Sequence, residues 1–141
     1  MSTETNKAIV RRYIDQVLSN QRYDLIDEFL VESVELHGVG PSIIGRTAVV
    51  EFYTMFATAF PDWHTTIDDM VAEGDKVVVR ITSNGTHLGD YQAISATGKP
   101  YTQNAIVIYR LTNGKIVEGR LQTDMLSMMQ QLGLMPVSQE N

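Results

Sequence analysis

The chain has 141 residues, which is enough for one domain with a hydrophobic core and leaves little room for a second. Its formal net charge of -6 argues against nucleic-acid binding, which depends on neutralising phosphates with Lys and Arg. There are no cysteines, so disulfides, thiolate metal sites and a cysteine nucleophile are excluded.

Membrane insertion and export are also not expected. No stretch approaches the roughly 20 consecutive apolar residues that a membrane-spanning helix needs. Residues 1–6 lack the basic and apolar regions of a secretory signal. We therefore expect a cytoplasmic protein that works without a cofactor.

The first half of the chain is predicted to be mainly helical. Apolar residues at helical spacing indicate a helix over residues 4–19 and a short second helix over Leu25–Leu30. Ser33–His37 is predicted to form a short strand. A third helix with a broad apolar face follows over Arg46–Phe60, and Pro61 ends it.

The second half changes to the period of two that is typical of strands. Strands are predicted over Trp63–Ala72, Lys76–Thr82, Tyr101–Leu111 and Lys115–Thr123, with turn residues between them. Met125–Leu132 is predicted to be a short terminal helix.

Helices followed by a run of strands indicate an α+β fold. We expect a curved antiparallel sheet, packed by the N-terminal helices into a cone around an internal pocket. The single domain would span residues 1–141, with a core over about 5–135 and a loose C-terminal tail. The convex face of the sheet would be apolar, so we expect a homodimer through that face.

The run from Ile116 to Asp124 alternates in an unusual way. One face would carry Glu118, Arg120, Gln122 and Asp124, between two strongly apolar segments of the chain. We interpret this polar face as the wall of the pocket and Asp124 as the leading catalytic carboxylate. Burial raises the pKa of a carboxylate, so that it can remove a proton beside a carbonyl group.

Each of these assignments has a structural alternative. Asp124 is well placed to be the N-cap of the helix that follows, where Asp is a preferred residue. Arg120 could instead pair with Glu118 on the surface. His37, beside a glycine-rich loop, is either a catalytic group at the pocket or a packed residue.

Further polar and aromatic side chains are candidates for substrate contacts. Hydrogen-bond donors could orient a substrate oxygen, and some of the aromatic set should line the pocket. The candidates are Asn104, Gln122, His87, Tyr13, Phe56 and Trp63. No pair of histidines has the short spacing of a zinc signature, so we expect no metal.

Several short motifs resemble the SnoaL-like polyketide and ester cyclase family, which lies within the nuclear transport factor 2-like superfamily. They occur in family order and cover roughly residues 5–135. The matching segments are Ala59–Asp62, Ala72–Arg80, Gly85–Tyr91, Thr97–Lys99, Asn113–Glu118, Asp124 and Gln131–Gly133.

This resemblance implies a cone-shaped α+β barrel, usually a dimer or tetramer, with no metal or organic cofactor. It also implies that Asp124 is equivalent to the residue that serves as general acid and base in an aldol ring closure. One position departs from the family pattern, because Arg120 stands where the family usually has Trp. That arginine loosely resembles the Asp and Arg pairing of epoxide hydrolases of the same superfamily.

The sequence therefore favours a cofactor-independent cyclase that acts on a polyketide-like, hydrophobic small molecule in secondary metabolism. Epoxide hydrolysis or isomerisation on the same fold is an alternative, and would need a further acid to activate water. A non-catalytic domain for small-molecule binding or protein association is another, because fold does not determine function.

Overall fold

The computed structural model describes residues 2–135. Helix α1, Thr3–Arg12, begins at Ser2, whose hydroxyl accepts a hydrogen bond from the backbone N–H of Thr5. It continues without a break as a π-helical segment over Tyr13–Ser19. The second predicted helix is shorter and tighter, a 3₁₀ helix over Tyr23–Glu28.

The remaining elements follow the predicted order, apart from a two-residue strand, Ile43–Ile44, that was not predicted. Helix α2 spans Arg46–Ala59 and helix α3 spans Met125–Gln131. The strands are β1, Leu30–His37; β2, Ile43–Ile44; β3, His64–Glu73; β4, Lys76–Thr86; β5, Pro100–Thr112; and β6, Lys115–Thr123.

The strands form one open, curved sheet of six in the order β2-β1-β6-β5-β4-β3. Four of its five pairings are antiparallel, as predicted, and β1 pairs with β6 in parallel. The two strands of the parallel pair are far apart in the chain, because α2 and four strands, β2 to β5, intervene between them. The architecture is the predicted α+β fold with N-terminal helices against a curved sheet.

The helices cover the concave face of this sheet. Val10, Tyr13 and Val17 of the first helical segment are fully buried, together with Val77 and Val79 of β4. A second aromatic cluster lies at the end of α2 and contacts α3. Between the two clusters the apolar side chains do not fill the cone completely, which leaves an internal cavity.

A β-bulge in β6 decides which of its side chains reach that cavity. Leu111 pairs with Ile116, but the preceding residue, Arg110, pairs with Glu118, so Val117 is an extra residue. Such a bulge shifts the alternation of the strand by one position. Ile116 therefore faces the core, and Glu118 faces outward.

No helix within residues 2–135 is long and apolar enough to cross a membrane. The predicted loose tail over residues 136–141 lies outside the described residues.

Candidate active site

A cavity of about 130 Å³ lies inside the cone, between the helices and the concave face of the sheet. A cavity on the order of 150 Å³ can hold a molecule the size of benzene, so this one accepts about one small ring. Its walls are mainly apolar and aromatic. They include Leu18, Leu36, Val39, Phe52, Phe56, Trp63, Ile81, Val107 and Leu121.

One wall carries a row of three polar side chains on adjacent strands. Thr65 of β3 pairs with Ser83 of β4, which in turn pairs with Gln103 of β5, and all three line the cavity. The Thr65 and Ser83 hydroxyls are hydrogen bonded at 2.8 Å and both residues are buried. Ser19 holds the backbone of Thr65 through two further hydrogen bonds. The row offers a ligand oxygen or N–H group a fixed set of partners.

The helical wall carries tyrosine hydroxyls. Tyr23 and Tyr53 line the cavity from this side, whereas Tyr109 lines it from β5 of the sheet. The Tyr53 hydroxyl lies 2.6 Å from that of Tyr13. Burial raises the pKa of Tyr53 to about 12 and that of Tyr13 well above its usual value. These phenols therefore stay neutral and act as hydrogen-bond donors near neutral pH.

His37 borders the cavity at the end of β1, but strand alternation directs its ring toward the outer face. It pairs across the sheet with Arg120, and its Nε2 lies 3.2 Å from Oε1 of Glu35. Its Nδ1 is 2.7 Å from the hydroxyl of Ser42. Nε2 is buried, and its approach to Glu35 lacks the geometry of a hydrogen bond. The catalytic role of His37 stays a prediction.

Asp124 is the N-cap of α3 and is exposed. Its Oδ1 accepts a hydrogen bond of 2.9 Å from the backbone N–H of Ser127. It does not line the cavity, and its connection with the cavity wall is electrostatic, through Tyr101. Gln103 donates to the Tyr101 hydroxyl, and burial, with a smaller contribution from the Asp124 charge, raises the pKa of Tyr101. The catalytic role of Asp124 stays a prediction, and its present contact is a helix cap.

Arg120, Gln122 and Asn104 do not line the cavity. The interpretation of the polar face of β6 as the pocket wall is wrong, whereas the roles of these residues in catalysis and substrate binding stay predictions. The bulge in β6 turns Arg120 and Gln122 to the outer face of the sheet, where both are exposed. Arg120 forms an ion pair with Glu118 at 3.1 Å, and this pair lowers the pKa of the Glu118 carboxyl. Asn104, Gln122 and Asp124 together line a shallow depression outside the cavity, beside Arg80 and Ile106.

The remaining candidates divide between the cavity and the core. Phe56 and Trp63 line the cavity, as predicted, with ring centroids 4.8 Å apart. Tyr13 is fully buried behind Tyr53. His87 is not on the cavity wall. It is fully buried against the ring of Phe60, and its Nδ1 accepts a hydrogen bond from the backbone of the 88–98 loop. Its observed contacts are therefore within the fold, and its predicted contact with substrate stays a prediction.

Within residues 2–135, no group of three or more His, Asp or Glu side chains is arranged to hold a metal ion.

The sequence matches the family model of SnoaL-like polyketide cyclases over residues 8–132. The chain belongs to this family. No curated protein sequence matches it.

Solved structures of similar shape agree with the SnoaL-like fold. A candidate SnoaL-like polyketide cyclase from Jannaschia sp. CCS1 superposes with a TM-score of 0.87, at 21% identity over 95% of both chains. AclR, a candidate hydroxylase from Streptomyces galilaeus, gives 0.85 at 22% identity over 99% of this chain and 87% of its own. IdmH, a candidate polyketide cyclase from Streptomyces antibioticus, superposes with a TM-score of 0.76 at 23% identity, over 91% of this chain and 98% of its own. At sequence identities this low, structural similarity shows the fold alone. The similar structures are described as a hydroxylase in one case and as cyclases in the others, so the shared fold does not determine the activity.

Sequence reasoning missed the polar row and the position of Tyr53 on the cavity wall. The row had a signal, because Ser83 continues the inward alternation of Val77, Val79 and Ile81 along β4. A polar side chain in the register of an apolar face indicates a polar group inside the fold.

Proposed function

We propose that this chain closes a ring in a small, polyketide-like molecule by proton transfer inside the cone. Membership of the cyclase family supports this reaction class. The observation that carries the proposal is the cavity itself, whose apolar walls hold polar groups at two opposed places. The polar row over Thr65, Ser83 and Gln103 lies on the sheet, and the Tyr53 hydroxyl lies on α2.

An aldol ring closure needs a base beside an acidic C–H bond and a proton donor at the acceptor oxygen. The walls of the cavity carry no Asp or Glu within the described residues. We propose Asp124 as the base, acting from the side of the cavity that Gln103 lines. To reach a substrate there, its carboxylate has to leave the Ser127 N–H, which it now caps.

His37 also borders the cavity. In the proposed reaction it orients the loop that follows β1 through Ser42, and its imidazole does not receive the substrate proton. Epoxide hydrolysis with a paired Asp124 and Arg120 has no support in this geometry. Arg120 lies on the opposite face of the sheet, in an ion pair with Glu118.

The assay follows, by chromatography, the ring closure of a small 1,3-dicarbonyl compound that carries a further carbonyl group as the aldol acceptor, with wild type and the Asp124→Asn and His37→Asn variants. Loss of roughly 100-fold or more in Asp124→Asn, with His37→Asn affected less than tenfold, is the expected result. Tight binding of the compound without turnover in wild type would favour the non-catalytic binding domain instead.

We also propose that two copies of the chain pack through the outer face of the sheet. Ile106 and Ile108 of β5 are 47% and 40% exposed at the middle of this face. Two ion pairs, Arg80 with Asp68 and Arg120 with Glu118, flank these isoleucines. The rim of the apolar patch therefore carries positive and negative charges. A patch that is apolar at its centre and charged with both signs at its rim can complement itself across a two-fold axis.

A further inference from the structure

Tyr13 and Tyr53 form a hydroxyl pair with one hydrogen to spare. Their oxygens are 2.6 Å apart, and this is the contact that each hydroxyl makes within residues 2–135. Two hydroxyl groups carry two hydrogens, and one hydrogen bond between them uses only one. The other hydrogen needs an acceptor, because an unpaired buried donor is costly.

The position of the two rings decides which hydrogen is free. Tyr13 is 0% exposed and does not line the cavity, whereas Tyr53 does. If Tyr53 donated to Tyr13, the remaining hydrogen would lie in the core without an acceptor. If Tyr13 donates to Tyr53, the remaining hydrogen belongs to Tyr53 and can point into the cavity, where a ligand can accept it.

Both rings are held in place before a ligand arrives. The Tyr13 ring packs edge-on against that of Tyr109, with centroids 5.9 Å apart, and at a tilt against that of Phe29, with centroids 5.8 Å apart. Tyr53 stacks on Tyr23 at 5.9 Å. The helices that carry Tyr13 and Tyr53 are therefore joined at this point, and the donor is preorganised.

We propose that Tyr53, with Tyr13 donating to it, is an oxygen-binding subsite for a ligand that carries a carbonyl, enol or phenol oxygen. The proposal rests on the proposed function of the cavity and names the chemical class that it accepts. In a ring closure, a neutral donor at this position would stabilise the negative charge that develops on an enolate or alkoxide oxygen. The apolar walls strengthen such a hydrogen bond because they exclude water.

The test compares two probes of similar shape, 4-nitrophenol and nitrobenzene, by calorimetric titration at a pH where free 4-nitrophenol is neutral. Wild type should bind 4-nitrophenol more tightly than nitrobenzene. Tyr53→Phe should weaken 4-nitrophenol binding about 5- to 10-fold and change nitrobenzene binding less than 2-fold, as expected for one lost hydrogen bond. Tyr13→Phe should weaken 4-nitrophenol binding by roughly 2- to 3-fold, because Tyr53 loses the partner that polarises it.

Two further variants make the outcome specific. Tyr91→Phe removes the hydroxyl of a buried tyrosine outside the cavity lining and should leave both affinities unchanged. Tyr109→Phe removes the neighbouring hydroxyl on the cavity wall. The subsite is overturned if Tyr109→Phe reproduces the selective loss and Tyr53→Phe does not. It is equally overturned if wild type binds 4-nitrophenol no better than nitrobenzene.

The probes report binding without turnover, so the two proposals fail in different ways. Selective binding of 4-nitrophenol by a chain that closes no ring would contradict the cyclase reaction and leave the subsite in place. Ring closure that is unaffected by Tyr53→Phe, together with equal binding of the probes, would contradict the subsite alone.

Discussion

Ile116 and Glu118 are two residues apart on β6, yet they lie on opposite faces of the sheet. The bulge at Val117 separates them, since Leu111 pairs with Ile116 and Arg110 with Glu118. As a result, Gly119 and Leu121 face the cavity. Bulges beside a site commonly redirect side chains in this way.

Gly119 keeps space open in the cavity wall. A Cβ atom there would lie 3.0 Å from Cδ2 of Leu36 and 3.2 Å from Cε1 of Tyr109. Gly119→Ala should reduce the affinity for 4-nitrophenol modestly, and Gly119→Val should reduce it by roughly tenfold while costing about 1–3 kcal/mol of stability. Calorimetric titration and urea unfolding of both variants measure these effects, and an equal affinity in all three proteins would contradict the role of Gly119.

Asp124 combines a measurable structural role with the proposed catalytic one, and substitutions separate them. Asn and Asp stabilise a helix about equally at the N-cap position. Asp124→Asn should therefore keep the free energy of unfolding within about 0.5 kcal/mol of wild type. Asp124→Ala should lose about 1 kcal/mol, because the Ser127 N–H loses its acceptor. If ring closure falls in Asp124→Ala but not in Asp124→Asn, the carboxylate is a cap and not a base.

The proposed dimer depends on the apolar centre of the outer face. Ile106→Asp should weaken self-association at least tenfold, or about 1.4 kcal/mol, because it buries a charge against its copy. Leu88→Asp is the matched control, since Leu88 is 59% exposed but lies in the loop after β4. Sedimentation of wild type and of both variants over a range of protein concentrations measures the affinity of self-association. A monomeric wild type, or an Ile106→Asp dimer of unchanged affinity, would contradict the interface.

The buried tyrosines predict a loss of stability in alkali. Burial raises the folded-state pKa of Tyr53 from 10.0 to about 12, and the pKa of Tyr109 is also raised. Since the unfolded chain ionises first, stability is unaffected below pH 10 and falls as pH rises from 10 toward 12. Urea unfolding should show a shallower decline in Tyr53→Phe than in wild type. An identical decline in the two proteins would show that Tyr53 ionises normally.

Asp62 provides the corresponding test in acid. Its carboxylate accepts hydrogen bonds from the backbone N–H and the hydroxyl of Thr86, both at 2.8 Å, and these lower its pKa from 3.8. The resulting stability is present above pH 3.8 and is lost as pH falls through the folded-state value. Asp62→Ala should therefore lower stability by about 1 kcal/mol at pH 7 and by much less at pH 2.5.

Thr86→Val is the control for Asp62, because it removes the hydroxyl and keeps the backbone N–H. It should show about half of the Asp62→Ala effect at pH 7. A loss in Asp62→Ala that is the same at both pH values would mean that the carboxylate charge does not contribute.

Several features of the fold followed from the sequence. Helical spacing located the helices over residues 4–19 and Arg46–Phe60 to within a few residues, since an apolar face repeats locally. The alternation of apolar and polar residues located strands β3 to β6, because this pattern too repeats between near neighbours in the chain. Asp124 and Ser127 lie within one helical turn, so the cap was available as an alternative from the sequence alone.

The inward and outward faces of β6 depended on tertiary structure. The one-residue bulge at Val117 is created by pairing with Leu111 and Arg110, and it reverses the face of every residue that follows. Likewise, Tyr13 and Tyr53 are 40 residues apart, and only the packing of two helices brings their hydroxyls to 2.6 Å. Local periodicity thus determined the elements and their order, whereas cross-strand register and helix packing decided which polar groups face the cavity.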